Sequence, residues 1–287
     1  MKTFLLIDAS ALIYRFFYAL PPLTDAHSNQ IQGIYGLANV LLKILREQRP
    51  DYAAAALDRP EKTFREAQFQ EYKIHRPPVP DPLVFQLKMM PELFGVFNIK
   101  TFEKTGFEAD DIIGTLAENF VSVPDLKIII LSGDLDVLQL VKDKKIIGQI
   151  IKSGLADTVF YDEAKVEERY ELKPARLPDY KALVGDASDN IPGVKGIGPK
   201  TAQELLKEFG NLEKIFEDLV IIPAKVARKL TGKKDAAFMY RELATIKRNV
   251  PLALPELEAL LLAPPVKEEL ISYFKNLGFM SLVKRIE

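Results

Sequence analysis

The feature that most constrains the fold is a series of short apolar runs, each followed by an acidic residue. Residues 127–132 (KIIILS) are almost wholly apolar, which is typical of a strand buried on both faces of a parallel sheet, and Asp134 and Asp136 follow. Two earlier runs end in the same way, residues 3–7 at Asp8 and residues 52–57 at Asp58. Helical patterns alternate with these runs to about residue 150, so the sequence predicts an α/β fold with a mostly parallel central sheet flanked by helices.

Composition narrows the kinds of site that the chain can build. The 287 residues include no cysteine and two histidines, so disulfides and Cys/His zinc sites are excluded and any metal must bind oxygen. No apolar run is long enough to cross a membrane and no signal peptide opens the chain, so we expect a cytoplasmic protein without membrane association. The formal net charge of −1 means that any nucleic-acid-binding surface must be local.

Acidic residues follow the predicted strands and precede a predicted helix. In open α/β sheets the carboxyl ends of strands form the site, which favours a functional Asp8, although the residue could instead cap the helix that follows. Glu108, Asp110 and Asp111 crowd the start of another helix. The helix dipole would stabilise one or two of these charges, but three repel one another unless a cation lies between them, which favours metal binding.

Residues 182–202 (ALVGDASDNIPGVKGIGPKTA) combine carboxylates with closely spaced glycines. Asp186 and Asp189 are hard oxygen ligands suited to Mg²⁺ or Mn²⁺. The glycines in GVKGIG let the backbone turn tightly between two helices, so that its N–H groups and the following helix N-terminus, near Pro199, can contact an anion. The alternative is a glycine-rich turn between helices with a solvated Asp pair.

Taken together, these acids predict a site for two divalent ions about 4 Å apart, an arrangement that activates a water and stabilises the leaving oxygen in phosphoryl transfer. The predicted ligands are Asp8, Asp58, Glu108, Asp110, Asp111, Asp134, Asp136, Asp186 and Asp189.

Several basic and aromatic residues are candidates for nucleic-acid contact. Residues 59–82 interrupt the alternating pattern and carry Arg65, Lys73 and Arg76, and Phe69 and Tyr72 lie among them, as expected of a segment touching nucleic acid or of a solvated amphipathic helix. In the first helix, Tyr14 and Arg15 could stack on a base and pair with a phosphate, or be core and surface residues.

The second half of the chain is predicted to be mainly helical. A strand pair over 153–160 and helices over 162–170 and 174–183 lead to the glycine hairpin, and 211–287 read as helical. Its lysine-rich stretch is either a solvated face or a further nucleic-acid contact. The residues of this stretch are Lys225, Arg228, Lys229, Lys233 and Lys234.

Five stretches resemble, in order, the signatures of the 5′ nuclease family. They are LLIDASALIYR, ALD followed by FREAQFQEYKIHR, GFEADDIIGTLA, LSGDLDVLQL and LVGDASDNIPGVKGIGPKTA. The resemblance covers essentially the whole chain. It is greatest to the 5′ to 3′ exonuclease domain of bacterial DNA polymerase I and its free-standing bacterial and phage relatives, with eukaryotic flap endonucleases more distant. The chief departure is that no polymerase follows residue 287, so a free-standing nuclease and an excised domain both stay open.

The resemblance implies a PIN-like or resolvase-like nuclease core over residues 1–180, with a helical arch at about 60–82. A helix-three-turn-helix DNA-binding region with further helices would occupy 181–287. It implies a structure-specific 5′ nuclease, acting as 5′ to 3′ exonuclease and 5′-flap endonuclease in primer removal and DNA repair. A monomer, a functional link to a DNA polymerase and DNA substrates with flaps, nicks or branches are expected, RNA primers on DNA included.

The resemblance also implies roles for individual residues. One Mg²⁺ (or Mn²⁺) would bind Asp8, Asp58, Glu108 and Asp110, the other would bind Asp136, Asp186 and Asp189, and Asp111 and Asp134 would lie between or just outside. Lys73 and Arg76 would approach the scissile phosphate as catalytic cations. DNA would contact Tyr14, Arg15, Arg65, Gly193, Lys195, Gly196, Gly198, Lys200 and Thr201, and K⁺ would bind at the hairpin.

Two other functions fit parts of the sequence. A structure-specific DNA-binding protein without catalysis would share the glycine hairpin and the basic arch, but it would not need nine converging acids. A metal-dependent ribonuclease of related fold needs about four acids and would lack the module at 193–202. Cleavage of a 5′-flapped duplex with Mg²⁺ and then with EDTA separates the three functions.

Overall fold

The centre of the protein is a six-stranded sheet, in a computed structural model that describes residues 1–153 and 157–287. The strands are β1 (Lys2–Asp8), β2 (Tyr52–Ala56), β3 (Lys100–Phe102), β4 (Leu126–Ser132), β5 (Ile146–Ser153) and β6 (Asp157–Tyr161). They lie in the order β3-β2-β1-β4-β5-β6. Strands β1 to β5 run parallel and β6 is antiparallel to β5, so the predicted α/β fold with a mostly parallel sheet is confirmed.

Helices cover both faces of the sheet and form most of the second half of the chain. The helices are α1 (Ala9–Ala19), α2 (Gln32–Gln48), α3 (Phe64–Gln68), α4 (Asp81–Val96), α5 (Ala109–Phe120), α6 (Glu163–Tyr170), α7 (Leu177–Val184), α8 (Pro199–Phe209), α9 (Leu212–Glu217), α10 (Ala224–Leu230), α11 (Lys234–Ala244), α12 (Lys267–Asn276) and α13 (Met280–Val283). Short 3-10 helices lie at Asp136–Leu140, Pro174–Arg176 and Leu257–Leu260. Among the described residues, no helix is both long and apolar enough to span a membrane.

Strand β1 explains why the sheet is buried on both faces. Leu5 and Ile7 pack into one core with residues of α1, α2 and α4, whereas Phe4 and Leu6 pack into a second core with α5. Successive side chains of a strand point to opposite faces, so an unbroken apolar run requires a helix layer on each side.

The strand order sets the position of the site. Strand β1 lies between β2 and β4, because the chain adds β2 and β3 on one side of β1 and then returns to add β4 on the other. In such sheets, ligands bind in the crevice outside the carboxyl ends of the strands where the order reverses. The crevice therefore opens beyond the ends of β1 and β4, where Asp8 and Asp134 lie.

The second half of the chain does not stay apart from the first. Residues of α7 to α11 form a helical core of their own. The chain then returns: Leu261 bridges Tyr52 next to the sheet, and Phe274 and Phe279 are buried in the core beneath α1 and α2. The prediction that 211–287 is helical holds for α9 to α13 but not for 245–256 or 261–266, where Pro251, Pro255, Pro264 and Pro265 disfavour helix.

Two further segments differ from the prediction. The expected helical arch at 60–82 holds one short helix, α3, followed by turns and by an extended stretch that contains Pro77, Pro78 and Pro80. Of the strand pair predicted at 153–160, the second strand is β6 and the first begins earlier, at Ile146. Residues 154–156 of that prediction lie outside the described residues.

Candidate metal and nucleic-acid site

The first two strand-end carboxylates line one cavity of about 260 Å³. Asp8 Oδ1 accepts a hydrogen bond from the Ala11 backbone N–H at 3.0 Å, and Asp8 Oδ2 accepts one from the Ser132 hydroxyl at 2.6 Å. Asp58 Oδ1 accepts a hydrogen bond from the Ala109 backbone N–H at 2.7 Å. Asp8 is therefore both a helix cap and a cavity-lining carboxylate, so the two interpretations of this residue do not exclude each other.

The start of α5 brings two more carboxylates to the same cavity. Glu108 is the N-cap residue of α5, and Asp110 is in its first turn. Burial, followed by the negative charges of Asp8 and Asp134, raises the pKa of Asp110 well above the ordinary value. Its Oδ1 atom is buried and has no hydrogen-bond partner in the part of the chain that the structure describes. A buried acceptor without a donor, surrounded by other carboxylates, fits a hard cation.

A second group of carboxylates adjoins the first. Ligand oxygens of Asp136, Asp186 and Asp189 lie within 4.8 Å of one another. A narrow cavity of about 30 Å³ is lined by carboxylates of both groups, among them Glu108, Asp110 and Asp136. The structure thus brings eight of the nine predicted acids to one edge of the sheet.

The electrostatics of this edge favour bound cations. Burial raises the pKa of Asp8 to about 7, and burial likewise raises the pKa of Asp136 to about 7, although Lys181 opposes the second shift. Asp58 is more open to solvent, but partial loss of hydration within the cavity raises its pKa, and the charge of Glu108 adds to that effect. Carboxylates whose charge is this poorly compensated would be stabilised by Mg²⁺ or Mn²⁺, and the all-oxygen donor set suits those ions.

The turn after α3 packs directly on the carboxylates. Lys73 Nζ lies 2.7 Å from Glu108 Oε1, and Arg76 Nη2 lies 2.8 Å from Asp189 Oδ1. The Lys73 backbone N–H also donates to the Asp189 carbonyl at 3.0 Å, with Lys73 in the left-handed region at φ 55°. Both predicted catalytic cations therefore border the cavity, together with Tyr14, which lines it.

Arg65 and Asp111 pair with each other beside the carboxylate group. Arg65 is 3% exposed and Asp111 is 0% exposed. The guanidinium donates to both Asp111 oxygens at 2.7 and 2.8 Å, and those oxygens also accept from the backbone N–H groups of Glu108 and Lys247. Asp111 has its oxygens occupied within the protein and Arg65 does not face solvent, so the prediction of a metal ligand and a DNA contact is corrected to a buried ion pair.

Two aromatic residues of the same segment also face inward. Tyr72 is 4% exposed, packs beside Ile191, and donates its hydroxyl hydrogen bond to Asp189 Oδ2 at 3.0 Å. Phe69 packs edge-on against Tyr240. Burial places Tyr72 beneath the carboxylates as a support, so neither nucleic-acid stacking nor a solvated helix describes these side chains.

Sequence reasoning missed Lys181, in the last turn of α7. Its ammonium contacts Asp136 and lies 2.5 Å from Asp186 Oδ2. The only sequence signal was a lysine near the end of a helix, which is equally explained by the helix dipole. Ser132 was missed as well, because nothing in an apolar strand indicates that its last residue binds Asp8.

The glycines of the hairpin between α7 and α8 have different structural roles. Gly193 has φ 67°, and a Cβ there would lie 2.3 Å from the Gly185 backbone nitrogen, so the turn itself requires glycine. Gly196 has φ 87°, and its carbonyl accepts from Lys229 Nζ at 2.6 Å. Gly198, the N-cap of α8, has φ −98°, and a Cβ there would meet nothing within 4 Å. Glycine is one of the residues favoured at a helix N-cap, and the space beside Gly198 is open. Lys195, Lys200 and Thr201 lie beside it, the two lysines exposed.

The fold and the carboxylate edge define an α/β nuclease with a resolvase-like N-terminal domain. The sequence matches the models of both domains of one family, the 5′-3′ exonuclease N-terminal resolvase-like domain over residues 3–171 and the 5′-3′ exonuclease C-terminal SAM fold over residues 172–268. The chain therefore belongs to the 5′-3′ exonuclease family, which confirms the predicted family and class of enzyme.

Curated relatives include both long and short proteins. The chain is 42% identical over 283 residues to DNA polymerase I of Caldicellulosiruptor bescii, covering 98% of this chain and 33% of the relative. It is 38% identical to DNA polymerase I of Bacillus subtilis, covering 99% of this chain and 32% of the relative. It is 36% identical to a 5′-3′ exonuclease of Aquifex aeolicus, covering 100% of this chain and 96% of the relative. The chain thus spans about a third of the polymerases and nearly all of the exonuclease.

Solved structures share the fold. The T5 5′-exonuclease with bound zinc has a TM-score of 0.71 at 21% identity, covering 85% of this chain and 89% of that one. The T5 D15 flap endonuclease, in a complex with DNA and metal ions, has a TM-score of 0.68 at 18% identity, covering 99% and 98%. The catalytic core of Rad2 with a DNA substrate has a TM-score of 0.63 at 19% identity, covering 96% and 87%.

Proposed function

We propose that this chain is a structure-specific 5′ nuclease that hydrolyses phosphodiester bonds of 5′-flapped, nicked or branched DNA with two Mg²⁺ or Mn²⁺ ions. The observation that carries the proposal is the convergence of eight carboxylates, one with a buried unpartnered oxygen, at a sheet edge bordered by Lys73 and Arg76. A DNA-binding protein without catalysis would have no use for so much uncompensated negative charge next to a phosphate.

The carboxylates divide into two ligand sets. Asp8, Asp58, Glu108 and Asp110 would hold one ion, Asp136, Asp186 and Asp189 would hold the other, and Asp134 would lie between the two sets. Ions bound there would activate the attacking water and stabilise the charge on the leaving oxygen. Asp111 belongs to neither set, because its oxygens are occupied by Arg65 and backbone N–H groups.

The cations of the turn after α3 bind and orient the scissile phosphate. Lys73 and Arg76 now pair with Glu108 and Asp189, and a phosphate entering the cavity would compete with those carboxylates for the same donors. The two side chains would donate to phosphate oxygens, where negative charge grows in the transition state. Tyr14 lines the same cavity and stacks on the nucleotide displaced into it.

The hairpin before α8 binds the duplex backbone at a distance from the carboxylates. The open space over Gly198, the N-terminus of α8 and the exposed Lys195 and Lys200 form a surface for phosphates, with Thr201 beside it. This contact carries no base information, so it selects duplex shape rather than sequence. A K⁺ ion at the hairpin carbonyls would strengthen the same contact with the duplex backbone.

The family suggests the biological setting. Relatives named DNA polymerase I contain a stretch similar to this chain over about a third of their length, so we infer a link to a polymerase in primer removal and DNA repair. The substrate strand would then include RNA primers as well as DNA.

The test is cleavage of a labelled 5′-flapped duplex. We expect cleavage with Mg²⁺ that stops with excess EDTA, and a loss of orders of magnitude in Asp189→Asn with flap affinity equal or higher, because a charge that repels phosphate is removed. The matched control is Asp143→Asn, an exposed acid in the β4–β5 turn at the opposite edge of the sheet. Cleavage in EDTA, or wild-type turnover in Asp189→Asn, would contradict the two-ion proposal.

A further inference from the structure

A second cavity, of about 460 Å³, adjoins the carboxylate cavity at Gly133, which lines both. Its walls come from α1, from the ends of β5 and β6, and from α6. We call this cavity the basic groove, and its charged and aromatic lining consists of Arg15, Lys152, Tyr161, Lys165 and Arg169. Among the described residues, no carboxylate lines it.

The two cations that α6 contributes to the basic groove lie over tyrosine rings, Lys165 over Tyr161 and Arg169 over Tyr170. Arg15 donates from Nη2 to the Lys152 carbonyl at 2.8 Å, but its Nε atom is buried without a hydrogen-bond partner in the described ranges. Lys165 and Arg169 are exposed, one helical turn apart on α6, and form no ion pair with another described residue. Like charges four residues apart on a helix repel each other, so an anion between them would be stabilising.

The two cavities meet at Gly133, where there is little room for a side chain. A Cβ at position 133 would lie 3.2 Å from the Ala11 carbonyl oxygen and 3.3 Å from Arg15 Cδ, so a larger residue would crowd the junction. A strand whose phosphate lies at the carboxylates could therefore continue past Gly133 towards the cations of α6. Tyr161, half-buried in the groove wall with Lys165 5.8 Å from its ring centre, adds an aromatic surface.

We propose that the basic groove binds the phosphates of a single nucleic-acid strand that leaves the carboxylate cavity past Gly133. The proposal rests on the proposed nuclease function. A cleft lined by charges of one sign concentrates oppositely charged ligands, and cations beside an aromatic ring are the usual composition of single-strand sites. A volume of about 460 Å³ is that of a small-ligand pocket, which suits nucleotides of one strand.

The test compares two labelled probes that share the same duplex, a 5′-flapped duplex and a nicked duplex without any single-stranded arm. Binding is measured without divalent ions across a salt titration, so the result does not depend on whether the protein cleaves. In Lys165→Gln/Arg169→Gln, affinity for the flapped duplex should fall and the slope of log affinity against log salt should flatten by about 0.7 for each phosphate that the variant no longer binds. Affinity for the nicked duplex should stay unchanged.

Two further variants make the result specific. Lys165→Arg/Arg169→Lys keeps both charges and should bind the flapped duplex as wild type does. Lys142→Gln/Lys144→Gln removes two exposed lysines just before β5, at the opposite edge of the sheet, and should also leave both affinities unchanged. The proposal is overturned by an unchanged salt slope in the first variant, by an equal loss on the nicked duplex, or by an equal loss in the control at 142 and 144. Circular dichroism verifies that each variant is folded.

Discussion

Replacing Arg65 with methionine should destabilise the protein strongly, although the sequence suggested a surface cation that touches DNA. The guanidinium makes four hydrogen bonds in the buried region, two to Asp111 and one each to the carbonyls of Leu243 and Thr245 at 2.8 and 2.9 Å. Methionine replaces the methylene packing but supplies no donor, so a fully buried carboxylate loses its counterion. Removing one partner of a buried pair costs about 3–5 kcal/mol, and we expect a loss of unfolding free energy in that range.

The measurement is urea denaturation followed by circular dichroism, with a double-mutant cycle. Adding Asp111→Asn to Arg65→Met removes the uncompensated charge and keeps an acceptor for the Lys247 N–H, so the double variant should lose less than the sum of the two single variants. The control is Arg59→Met, in the same segment but in solvent-accessible pairs with Glu61 and Glu103, and it should unfold near the wild-type urea concentration.

The opposite pattern would contradict a stabilising Arg65–Asp111 pair. If Arg65→Met unfolds at the wild-type urea concentration while duplex affinity falls and its salt slope flattens, then Arg65 contacts phosphate and the buried pair contributes nothing measurable. An additive double-mutant cycle would likewise show that Arg65 and Asp111 do not interact.

Three other outcomes follow from the site. Lys73→Ala should lower the single-turnover cleavage rate more than duplex affinity, because a cation at the scissile phosphate stabilises charge that grows in the transition state; a loss in affinity alone would make it only an anchor. Gly198→Val should fold normally yet bind every duplex sequence more weakly, with a flatter dependence of log affinity on log salt. Gly193→Ala should instead lower the melting temperature, because the added Cβ would lie 2.3 Å from a backbone atom. Mn²⁺ should raise the melting temperature in proportion to the logarithm of the Mn²⁺ concentration once the site is filled, because the ion binds the carboxylates only in the folded protein. In Asp110→Asn the rise in melting temperature should be smaller.

The position of the site followed from local patterns. Apolar runs followed by Asp8, Asp58 and Asp134 predict the parallel sheet. They also predict the edge at which its carboxylates lie, because the carboxyl ends of parallel strands meet at one edge. Glycine spacing in the same way predicted a tight turn before α8. These features depend on residues that are close together in the sequence, so the sequence alone was sufficient to predict them.

Distinguishing the individual acids required the tertiary structure. Asp110 and Asp111 are adjacent in the sequence, but side chains one residue apart on a helix point about 100° apart, so one faces the cavity and the other faces Arg65. Arg65 lies 46 residues away from Asp111, and Lys181 reaches Asp136 across 45 residues. Pairings over such distances are set by how helices pack against the sheet. The sequence therefore determined that many charges meet at one edge, and packing alone determined which carboxylates are paired within the protein and which remain for metal ions.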